Sequence, residues 1–281
     1  MTLVDGKKLS EELKDGLKKE ILALGRKPKL AVIFLGENPA SESFIKRKEK
    51  FAGEIGAGLE IFKPEEEIWE SRTKLRAYIS KIVHDRKNSG VIIQLPLPEE
   101  IKQRTEYLLD AIPADKDADV LSSEALGKFA NGRLAIMPPV AGAVKYVLDS
   151  NGIDFHGKKI AVVGAGGRLV GRPVVLWLSS LNVTFAAITE NSSEAEMRRA
   201  ISEADIIISG VGKAGLIKKD MVKDGVVALD AGVSSGAGGL AGDFEPAVAD
   251  KASLFTPVPG GIGPLTVAML FKNLLVLAKK K

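Results

Sequence analysis

The sequence of 281 residues contains no cysteine and only two histidines. Without cysteine the chain can form no disulfide framework, no thiolate metal site and no thiol nucleophile. The histidines, His84 and His156, lie in different segments and lack the spacing of metal ligands. The sequence therefore predicts no metal site, and both histidines are expected to be structural.

Charge of one sign and long apolar runs are also missing. The 40 Lys and Arg residues exceed the 36 Asp and Glu residues by only four, and the two signs are interleaved. This balance does not indicate nucleic-acid binding, although the pI near 9 leaves a weak preference for polyanions open. No uncharged run approaches the roughly 20 residues of a membrane span, and the N-terminus lacks the apolar stretch of a signal peptide. A cytoplasmic protein that binds neither membrane nor nucleic acid is expected.

Short apolar runs alternate with helix-length segments along most of the chain. The runs are LAVIFLG, GVIIQLP, KIAVVGAG, NVTFAAIT, ADIIISGVG and GVVALDAG. Continuous apolar strands separated by helices indicate βαβ units with a parallel sheet covered on both faces, which is the α/β class. We predict two domains: residues 1–135, completed by a C-terminal helix over 264–281, and residues 136–263.

A glycine-rich segment, KIAVVGAGGRLVGRPVV, has the pattern strand, loop, helix. A helix that begins near Gly171 would present free N–H groups and a positive dipole end to a pyrophosphate. The spacing of Gly164, Gly166 and Gly171 departs from GxGxxG, because the third glycine would fall on Leu169. The segment predicts a dinucleotide-binding loop, with a tight turn that binds no ligand as the alternative.

Two charged residues give conflicting indications about the dinucleotide. Glu190 follows Thr189 at the end of the next predicted strand, 19 residues after Gly171, where an acidic side chain can bind an adenosine ribose and favour NAD. Arg168, inside the glycine loop, can instead pair with a 2′-phosphate and favour NADP. The residues by themselves leave both cofactors open.

Phe44 and Lys48 stand one turn apart on a predicted helix in PASESFIKRKEK. The ring can stack on a planar heterocycle, while a partly desolvated lysine can transfer protons near neutral pH. The alternative is an ordinary amphipathic helix with Phe44 in the core and Lys48 in water.

Further polar side chains follow apolar runs in the first half of the chain. Gln94 ends the strand in GVIIQLPLP, at the carboxyl end where α/β proteins bind ligands. Asp117 and Asp119 follow a proline turn in PADKDADV, and an aspartate can hold the N–H pair of an amino-pyrimidine edge. The alternative for both aspartates is a solvated acidic loop.

The stretch TPVPGGIGPLT, residues 256–266, combines three prolines with three glycines. Proline fixes the backbone, and glycine lets another group approach it closely. The stretch predicts a rigid loop with its backbone exposed on one side, and a simple linker or helix start is the alternative.

These motifs together resemble one family, the bifunctional methylenetetrahydrofolate dehydrogenase/methenyltetrahydrofolate cyclohydrolases. The resemblance rests on VDGK, GENPAS, GVIIQLPLP, PADKDAD, the VVG…LVGRP loop, ADIIISGVGKAG and, most specifically, TPVPGGIGPLT. It implies a folate-binding catalytic domain, a Rossmann-like NAD(P)-binding domain and an active-site cleft between them. It also implies oxidation of methylenetetrahydrofolate, hydrolysis of the methenyl product to formyltetrahydrofolate, and a homodimer.

The resemblance assigns roles to single positions. Lys48 matches the catalytic lysine, Gln94 the glutamine that orients it, and Asp119 the aspartate that anchors the pterin. The substrate-binding positions are Phe44, Pro259, Gly260 and Gly261. The cofactor-binding positions are Gly164, Ala165, Gly166, Gly167, Arg168, Gly171, Thr189 and Val233. NADP is the favoured cofactor, with NAD as the alternative.

Two departures from the family pattern bear on these roles. Phe44 stands where most members have tyrosine, so it keeps a stacking surface and lacks a hydroxyl, and Val120 replaces a glycine. The first departure leaves a monofunctional dehydrogenase with weakened hydrolysis as the alternative function. A non-catalytic folate or dinucleotide sensor is disfavoured because Lys48, Gln94 and Asp119 are retained.

Overall fold

The structure is a computed structural model that describes residues 1–236 and 239–280. The chain divides into two compact units. The three-stranded unit comprises Glu11–Pro139 and Val267–Lys281, and the six-stranded unit comprises Met1–Ser10 and Val140–Thr266.

The strands and helices of the described residues alternate along much of the chain. The strands are β1 (Thr2–Leu3), β2 (Lys29–Ile33), β3 (Gly58–Phe62), β4 (Gly90–Ile93), β5 (Ile160–Val163), β6 (Phe185–Ile188), β7 (Ile206–Ser209), β8 (Val226–Asp230), β9 (Ser234–Gly236), β10 (Gly239–Ala241) and β11 (Ala252–Phe255). The helices are α1 (Gly6–Ala23), α2 (Pro39–Ile55), α3 (Glu66–Trp69), α4 (Arg72–His84), α5 (Thr105–Leu109), α6 (Ser123–Ala130), α7 (Pro139–Ser150), α8 (Gly171–Ser180), α9 (Glu194–Glu203) and α10 (Ile262–Lys279).

The three-stranded unit is built on a parallel sheet in the order β3-β2-β4. Successive residues of β2 enter different cores because strand side chains alternate between faces. Leu30 and Val32 belong to the core that also contains residues of α2 and α10, whereas Ala31 and Ile33 pack with residues of α4. Both faces of the sheet are therefore covered, which explains why β2 is apolar from Leu30 to Ile33 and β4 carries no polar side chain.

The C-terminal helix α10 is a core element of this unit. Leu270, Phe271 and Leu274 are buried, and the Phe271 ring stacks on Phe51 with 5.4 Å between ring centroids. By length and composition α10 also passes a test for a membrane span, but most of it is buried within the protein. Core helices pass the same test, so this is weak support for membrane insertion.

The six-stranded unit contains a parallel sheet in the order β1-β11-β8-β7-β5-β6. From β5 the chain runs to β6 on one side and then returns to β7 on the other side. The connections that follow β5 and β7 therefore lead to opposite sides of the sheet. Open α/β sheets bind ligands at the carboxyl ends of strands at such a point. A separate antiparallel pair is formed by β9 and β10.

The six apolar runs are confirmed as strands, namely β2 and β4 to β8, and the α/β class with two units is confirmed. Five further strands, β1, β3, β9, β10 and β11, were not predicted. β1, β9 and β10 have only two or three residues each, no residue of β3 is buried, and β11 contains the exposed Ser253, so none gives a long apolar run.

The limits of the units differ from the predicted domain bounds. The six-stranded unit begins at Val140 and includes Met1–Ser10, whereas the sequence placed residues 1–135 in one domain. The reason is a long-range pairing: Thr2 lies opposite Leu254 in the sheet, and the Val4 N–H donates to the Phe255 carbonyl at 2.9 Å. Such a pairing has no local signature in the sequence.

Candidate functional site

Helix α2 positions Lys48 in the three-stranded unit. The helix begins where the Asn38 side chain accepts a hydrogen bond from the Ser41 N–H at 3.0 Å, with Pro39 in its first turn. Lys48 follows the buried Ile45 by three residues and precedes the buried Ala52 by four, so it lies on the buried side of the helix.

Lys48, Gln94 and Asp119 come together although they lie far apart in the sequence. The Lys48 Nζ donates to the Gln94 Oε1 at 2.9 Å. Gln94 directly follows β4 and is 8% exposed, and its Nε2 donates to the Leu95 carbonyl at 2.7 Å. This second bond fixes the orientation of the amide, so that its oxygen faces the lysine.

The surroundings shift the pKa values of Lys48 and Asp119 in opposite directions. Lys48 keeps some exposed surface, but burial around its Nζ lowers the pKa of the ammonium, and the Asp119 carboxylate opposes part of that shift. Burial raises the pKa of Asp119, and Lys48 opposes this. The lysine is therefore closer to losing its proton at neutral pH than an exposed lysine, as a proton-transfer group requires.

The neighbouring aspartate has a different, structural role. Asp117 is 2% exposed, and its Oδ2 accepts hydrogen bonds from the N–H groups of Leu121 at 2.9 Å and Ser122 at 2.7 Å. Burial raises the pKa of Asp117 to about 6. Its carboxylate thus holds the turn that carries Asp119, and Asp119 is the one whose charge acts on Lys48.

The turn contains an unusual backbone at Val120, whose φ is 56°. A β-branched residue in this left-handed region is a conformational outlier. Val120 is fully buried in the core of the unit, so its side chain packs well while its backbone is strained.

We expect Val120→Gly to be more stable than Val120→Ala by about 1 kcal/mol, because only glycine adopts the left-handed conformation without a cost of about 1–2 kcal/mol. Both variants lose the buried side chain, so their difference isolates the backbone. Urea unfolding followed by circular dichroism measures it. If alanine proved the more stable residue, as it is inside helices, the backbone at this position would not be strained.

Phe44 lies one turn before Lys48 on α2 and is 38% exposed. The Arg47 guanidinium carbon lies 5.0 Å from the centroid of the Phe44 ring. Phe44 is thus a surface ring with a cation next to it, whereas Lys48 is directed to Gln94 and Asp119. The two side chains are not equivalent, although helical spacing places them on one face.

In the stretch TPVPGGIGPLT, glycine occupies the adjacent positions 260 and 261 for different structural reasons. The Gly261 N–H donates to the Pro257 carbonyl at 2.7 Å, and a Cβ at Gly261 would lie 2.8 Å from the Thr256 Cβ. Gly261 is therefore required by the turn itself. Gly260 has a φ of 113°, and a Cβ there would meet no atom within 4 Å. Next to Gly260 the backbone borders open space, so there is room for another group to approach it. Pro259 follows a cis peptide bond.

The glycine loop after β5 is a tight turn into α8, which begins at Gly171 as predicted. A Cβ at Gly171 would collide with the Gly164 carbonyl, and the Gly167 N–H donates to that same carbonyl at 2.9 Å. One prediction needs correction: the first turn of α8 offers fewer N–H groups than expected. The Arg172 N–H is bonded to the Gly167 carbonyl at 2.8 Å, and Pro173 has none.

Exposed apolar side chains surround this loop at the carboxyl ends of the strands. Leu169 in the loop, Val211 after β7 and Val233 after β8 are 46%, 44% and 41% exposed. A Cβ at Gly164 would lie 3.0 Å from the Val211 side chain, so the loops after β5 and β7 are in contact. Exposed apolar residues at the carboxyl ends of parallel strands suit a flat ring of a ligand.

The loop after β7, residues 210–213, lies next to the predicted cofactor residues but was not itself predicted to belong to the cofactor site. Its two glycines, Gly210 and Gly212, follow a buried strand and are the sequence feature that could have indicated it. Gly212 has a φ of 80°, and a Cβ there would lie 3.3 Å from the Val233 carbonyl. The loop thus lies against both the glycine loop and the predicted cofactor residue Val233.

The residues predicted to determine the preference for NAD or NADP also lie at the carboxyl ends of these strands. Thr189 follows β6 in a compact turn, in which its N–H donates to the Ser192 Oγ at 3.1 Å. Glu190 is exposed and Arg168 is half-buried. Ala165 is buried, with its N–H bonded to the Ile188 carbonyl at 2.8 Å.

Within residues 1–236 and 239–280, no group of three or more His, Asp or Glu side chains could hold a metal ion. The His84 Nδ1 lies 2.7 Å from the Ser80 carbonyl, and the His156 Nδ1 lies 2.7 Å from Asp154 Oδ1. Both rings are exposed and make local contacts.

Two family profiles match consecutive parts of the chain. The profile of the tetrahydrofolate dehydrogenase/cyclohydrolase catalytic domain matches residues 4–119, and that of the tetrahydrofolate dehydrogenase/cyclohydrolase NAD(P)-binding domain matches residues 138–281.

Known proteins are similar over the full length. The chain is 38% identical over 284 residues to the bifunctional protein FolD of Nautilia profundicola, which covers 99% of this chain and 98% of the relative. The crystal structure of the bifunctional enzyme FolD, a methylenetetrahydrofolate dehydrogenase/cyclohydrolase, from Campylobacter jejuni matches with a TM-score of 0.92 at 34% identity, over 100% of this chain and 99% of that chain. The Trypanosoma brucei enzyme, complexed with NADP cofactor and inhibitor, matches with a TM-score of 0.91 at 28% identity, over 99% and 97% of the chains.

Proposed function

The chain belongs to the tetrahydrofolate dehydrogenase/cyclohydrolase family, and from this premise we propose which of its residues perform each half of the reaction. The enzyme oxidises methylenetetrahydrofolate to methenyltetrahydrofolate with NAD(P) and hydrolyses that product to formyltetrahydrofolate. The single-activity alternative is not favoured by the comparisons, since the relatives that are 38% identical over the full length are named bifunctional. We propose that the three-stranded unit binds folate and that the six-stranded unit binds the dinucleotide.

The observation that carries the hydrolytic half is the 2.9 Å bond between the Lys48 Nζ and the Gln94 Oε1, next to Asp119. Water adds to the carbon of the cationic methenyl bridge, loses a proton, and one C–N bond of the bridge then breaks to leave the formyl group. Lys48 accepts the first proton from the attacking water and passes it to the leaving nitrogen, and the remaining hydroxyl proton is released to solvent as the formyl carbonyl forms. Gln94 acts through Lys48, because its fixed amide oxygen holds the amine in place.

A lowered pKa at Lys48 suits this step for two reasons. A neutral amine has a lone pair that can take the proton of water, whereas an ammonium has none. A neutral amine also avoids repulsion with the positively charged methenyl bridge. Asp119 is proposed to bind the donor edge of the pterin, and the exposed Phe44 ring to stack on it.

The residues of the six-stranded unit fit an NAD(P) cofactor. Gly166 is exposed, and a Cβ there would meet no atom within 4 Å, so the loop leaves room for a pyrophosphate. The exposed Leu169, Val211 and Val233 offer apolar surface for a ring. When bound, NAD(P) supplies the acceptor for the hydride that leaves the methylene bridge. The backbone around the cofactor is shaped by the remaining predicted positions, which are Gly164, Ala165, Gly167, Gly171 and Thr189. Pro259, Gly260 and Gly261 are proposed to border the folate.

We propose NADP as the preferred cofactor, because a guanidinium at Arg168 can form charge-assisted hydrogen bonds to a 2′-phosphate. The related enzyme of Trypanosoma brucei binds NADP, which supports this preference. Glu190 is exposed and is free to turn away from a bound phosphate.

Replacing Arg168 by alanine should raise the KM for NADP by roughly tenfold or more, which corresponds to about 1.4 kcal/mol, and leave the KM for NAD nearly unchanged. Glu190→Gln is the matched control at the same sheet edge and should change neither KM by more than about twofold. Equal increases for both cofactors would make Arg168 a structural residue. A wild-type enzyme that prefers NAD would assign the ribose contact to Glu190.

Steady-state assays of both half-reactions, with NAD and NADP side by side, test the proposed function. With methylenetetrahydrofolate and NADP, methenyltetrahydrofolate should accumulate transiently and then disappear. When methenyltetrahydrofolate is added without any cofactor, it should disappear faster than at the uncatalysed rate. Disappearance at only the uncatalysed rate would contradict the hydrolytic role of Lys48. No reduction of either cofactor would contradict the assignment of the six-stranded unit.

We further propose that the enzyme is a cytoplasmic homodimer, as the resemblance to the family implies. Light scattering coupled to size-exclusion chromatography tests the assembly, with about twice the chain mass of 29.9 kDa expected.

A further inference from the structure

A fully buried carboxylate, Asp243, lies beneath the loop of residues 210–213 in the six-stranded unit. Its Oδ2 accepts hydrogen bonds from the Ser209 Oγ and the Val211 N–H, each at 2.7 Å. Its Oδ1 accepts from the N–H groups of Gly212 and Lys213, each at 2.8 Å. One side chain thus accepts hydrogen bonds from three consecutive backbone N–H groups and from the hydroxyl of Ser209, the last residue of β7.

Consecutive N–H groups that converge on one point form an anion-binding nest. Here the anion is supplied by the protein itself, so this nest is not a site for the phosphates of a ligand. The hydrogen bonds are charge-assisted, which makes them stronger than ordinary ones and fixes the loop backbone. Gly212, with its φ of 80°, provides the turn that the nest requires.

The surroundings of Asp243 are arranged to admit the carboxylate. A Cβ at Gly232 would overlap the Asp243 carboxylate, so only glycine fits at that position. A second buried carboxylate, Asp230, accepts hydrogen bonds from the Gly232 N–H and the Phe244 N–H, each at 3.0 Å. Asp230 thereby fixes the backbone of Phe244, which follows Asp243 in the chain, and of Gly232, which packs against the Asp243 carboxylate.

The other side of the loop lies against the glycine loop after β5. The Gly210 carbonyl and the Val211 side chain each lie 3.0 Å from the position of a Cβ at Gly164, and the Val211 side chain remains 44% exposed. A displacement of residues 210–213 would therefore alter the surface next to the glycine loop. Asp243 itself cannot contact a ligand, because it is fully buried under the loop.

We propose that Asp243 is a positioning residue for dinucleotide binding, whose carboxylate holds residues 210–213 in the shape that completes the NAD(P) site. The inference rests on the proposed function of the six-stranded unit. The inference assigns residues 210–213 to the cofactor site. It also explains why a carboxylate is buried at Asp243, since its hydrogen bonds hold that loop. The loop contributes shape and apolar surface through Val211, and the carboxylate acts only through the loop.

Replacement of Asp243 by asparagine is the first test, since it keeps the size and introduces an NH₂ group that cannot accept the loop N–H bonds. We expect the Kd for NADPH, followed by its fluorescence, to rise by about tenfold or more, because buried donors are left unpaired. The KM for methylenetetrahydrofolate should change by less than about threefold. Asp250→Asn, which removes an exposed carboxylate of the same unit, is the control and should leave the Kd for NADPH unchanged.

A general loss of fold is separated from a loss of positioning by the cofactor-free reaction. Hydrolysis of added methenyltetrahydrofolate should fall much less than NADPH affinity in Asp243→Asn. An equal fall in both, or a folded variant whose Kd for NADPH stays within about twofold of wild type, would overturn the proposal.

Gly212→Ala is the second variant, and it tests the role of the loop in NADPH binding if Asp243→Asn does not fold. It strains the same loop without touching the carboxylate, because its φ of 80° disfavours any side chain. A raised Kd for NADPH supports the proposal, and an unchanged Kd overturns it. The titration uses no folate, so a wild-type protein that binds NADPH but turns over no folate would contradict the proposed function and leave this test valid.

Discussion

Replacement of Lys48 by methionine is expected to lower the cyclohydrolase rate by at least about a hundredfold, the usual scale for losing a positioned acid or base group. Methionine keeps most of the volume of the stem and removes the amine that donates the 2.9 Å hydrogen bond to the Gln94 Oε1 in the wild type. The dehydrogenase rate should fall less, because the hydride leaves the methylene bridge without a proton transfer by Lys48. Both rates are measured by the methenyl absorbance, with and without NADP.

Two further lysine variants sharpen this prediction. Lys48→Arg keeps a positive charge but stays protonated at all working pH values, so it should be as inactive in hydrolysis as the methionine variant. Lys46→Met, on the exposed side of the same helix, is the control and should keep hydrolysis within about twofold. Wild-type hydrolysis in Lys48→Met would remove Lys48 from the mechanism. Activity in Lys48→Arg would mean that its charge matters and its proton transfer does not.

Replacement of Asp119 by alanine should impair both activities by raising the KM for folate substrates. An unpaired donor on a buried ligand costs about 1–3 kcal/mol, which corresponds to a loss of about fivefold to 150-fold for one group. The same variant removes the charge that opposes the lowered pKa of Lys48, so the pKa of Lys48 should fall further. The acidic limb of the pH profile for hydrolysis should then move to lower pH.

The matched control is Asp117→Ala, two residues away in the same turn. Its carboxylate accepts the N–H groups of Leu121 and Ser122, so its removal leaves buried donors unpaired and should lower the free energy of unfolding. The KM for folate should rise less than in Asp119→Ala once the rates are corrected for the folded fraction. If Asp117→Ala has the larger effect on KM, the pterin is anchored by Asp117.

The fold class was predictable because it depends on neighbours along the chain. Buried parallel strands are apolar at every position, so runs such as those of β4 and β5 are visible without knowledge of their partners. By contrast, β1 contributes only Thr2 and Leu3 to a sheet whose paired residues, Leu254 and Phe255, are some 250 positions later. No local pattern marks such a strand, and the unit limits were misplaced for this reason.

The sequence alone determined the chemical types of the site: an amine at Lys48, an amide at Gln94 at the end of a strand, and glycines where the chain turns into α8. Residue type and local spacing suffice for this, because helices and strand ends place side chains by short-range geometry. It also showed through its motifs that the chain resembles a folate enzyme. Residue type and spacing did not distinguish Asp117 from Asp119 in PADKDADV, which have the same chemistry and lie in the same turn, and only the resemblance to the family selected Asp119.

Only the tertiary structure decided which groups meet. The bond from Lys48 to Gln94 spans 46 positions, and the bond from Ser209 to Asp243 spans 34. The partners of each carboxylate distinguish Asp117, which accepts hydrogen bonds from backbone N–H groups, from Asp119, whose charge acts on Lys48. The pKa of a group and the partners of a buried carboxylate depend on atoms brought together from distant segments, and these distances are set by packing rather than by position in the sequence.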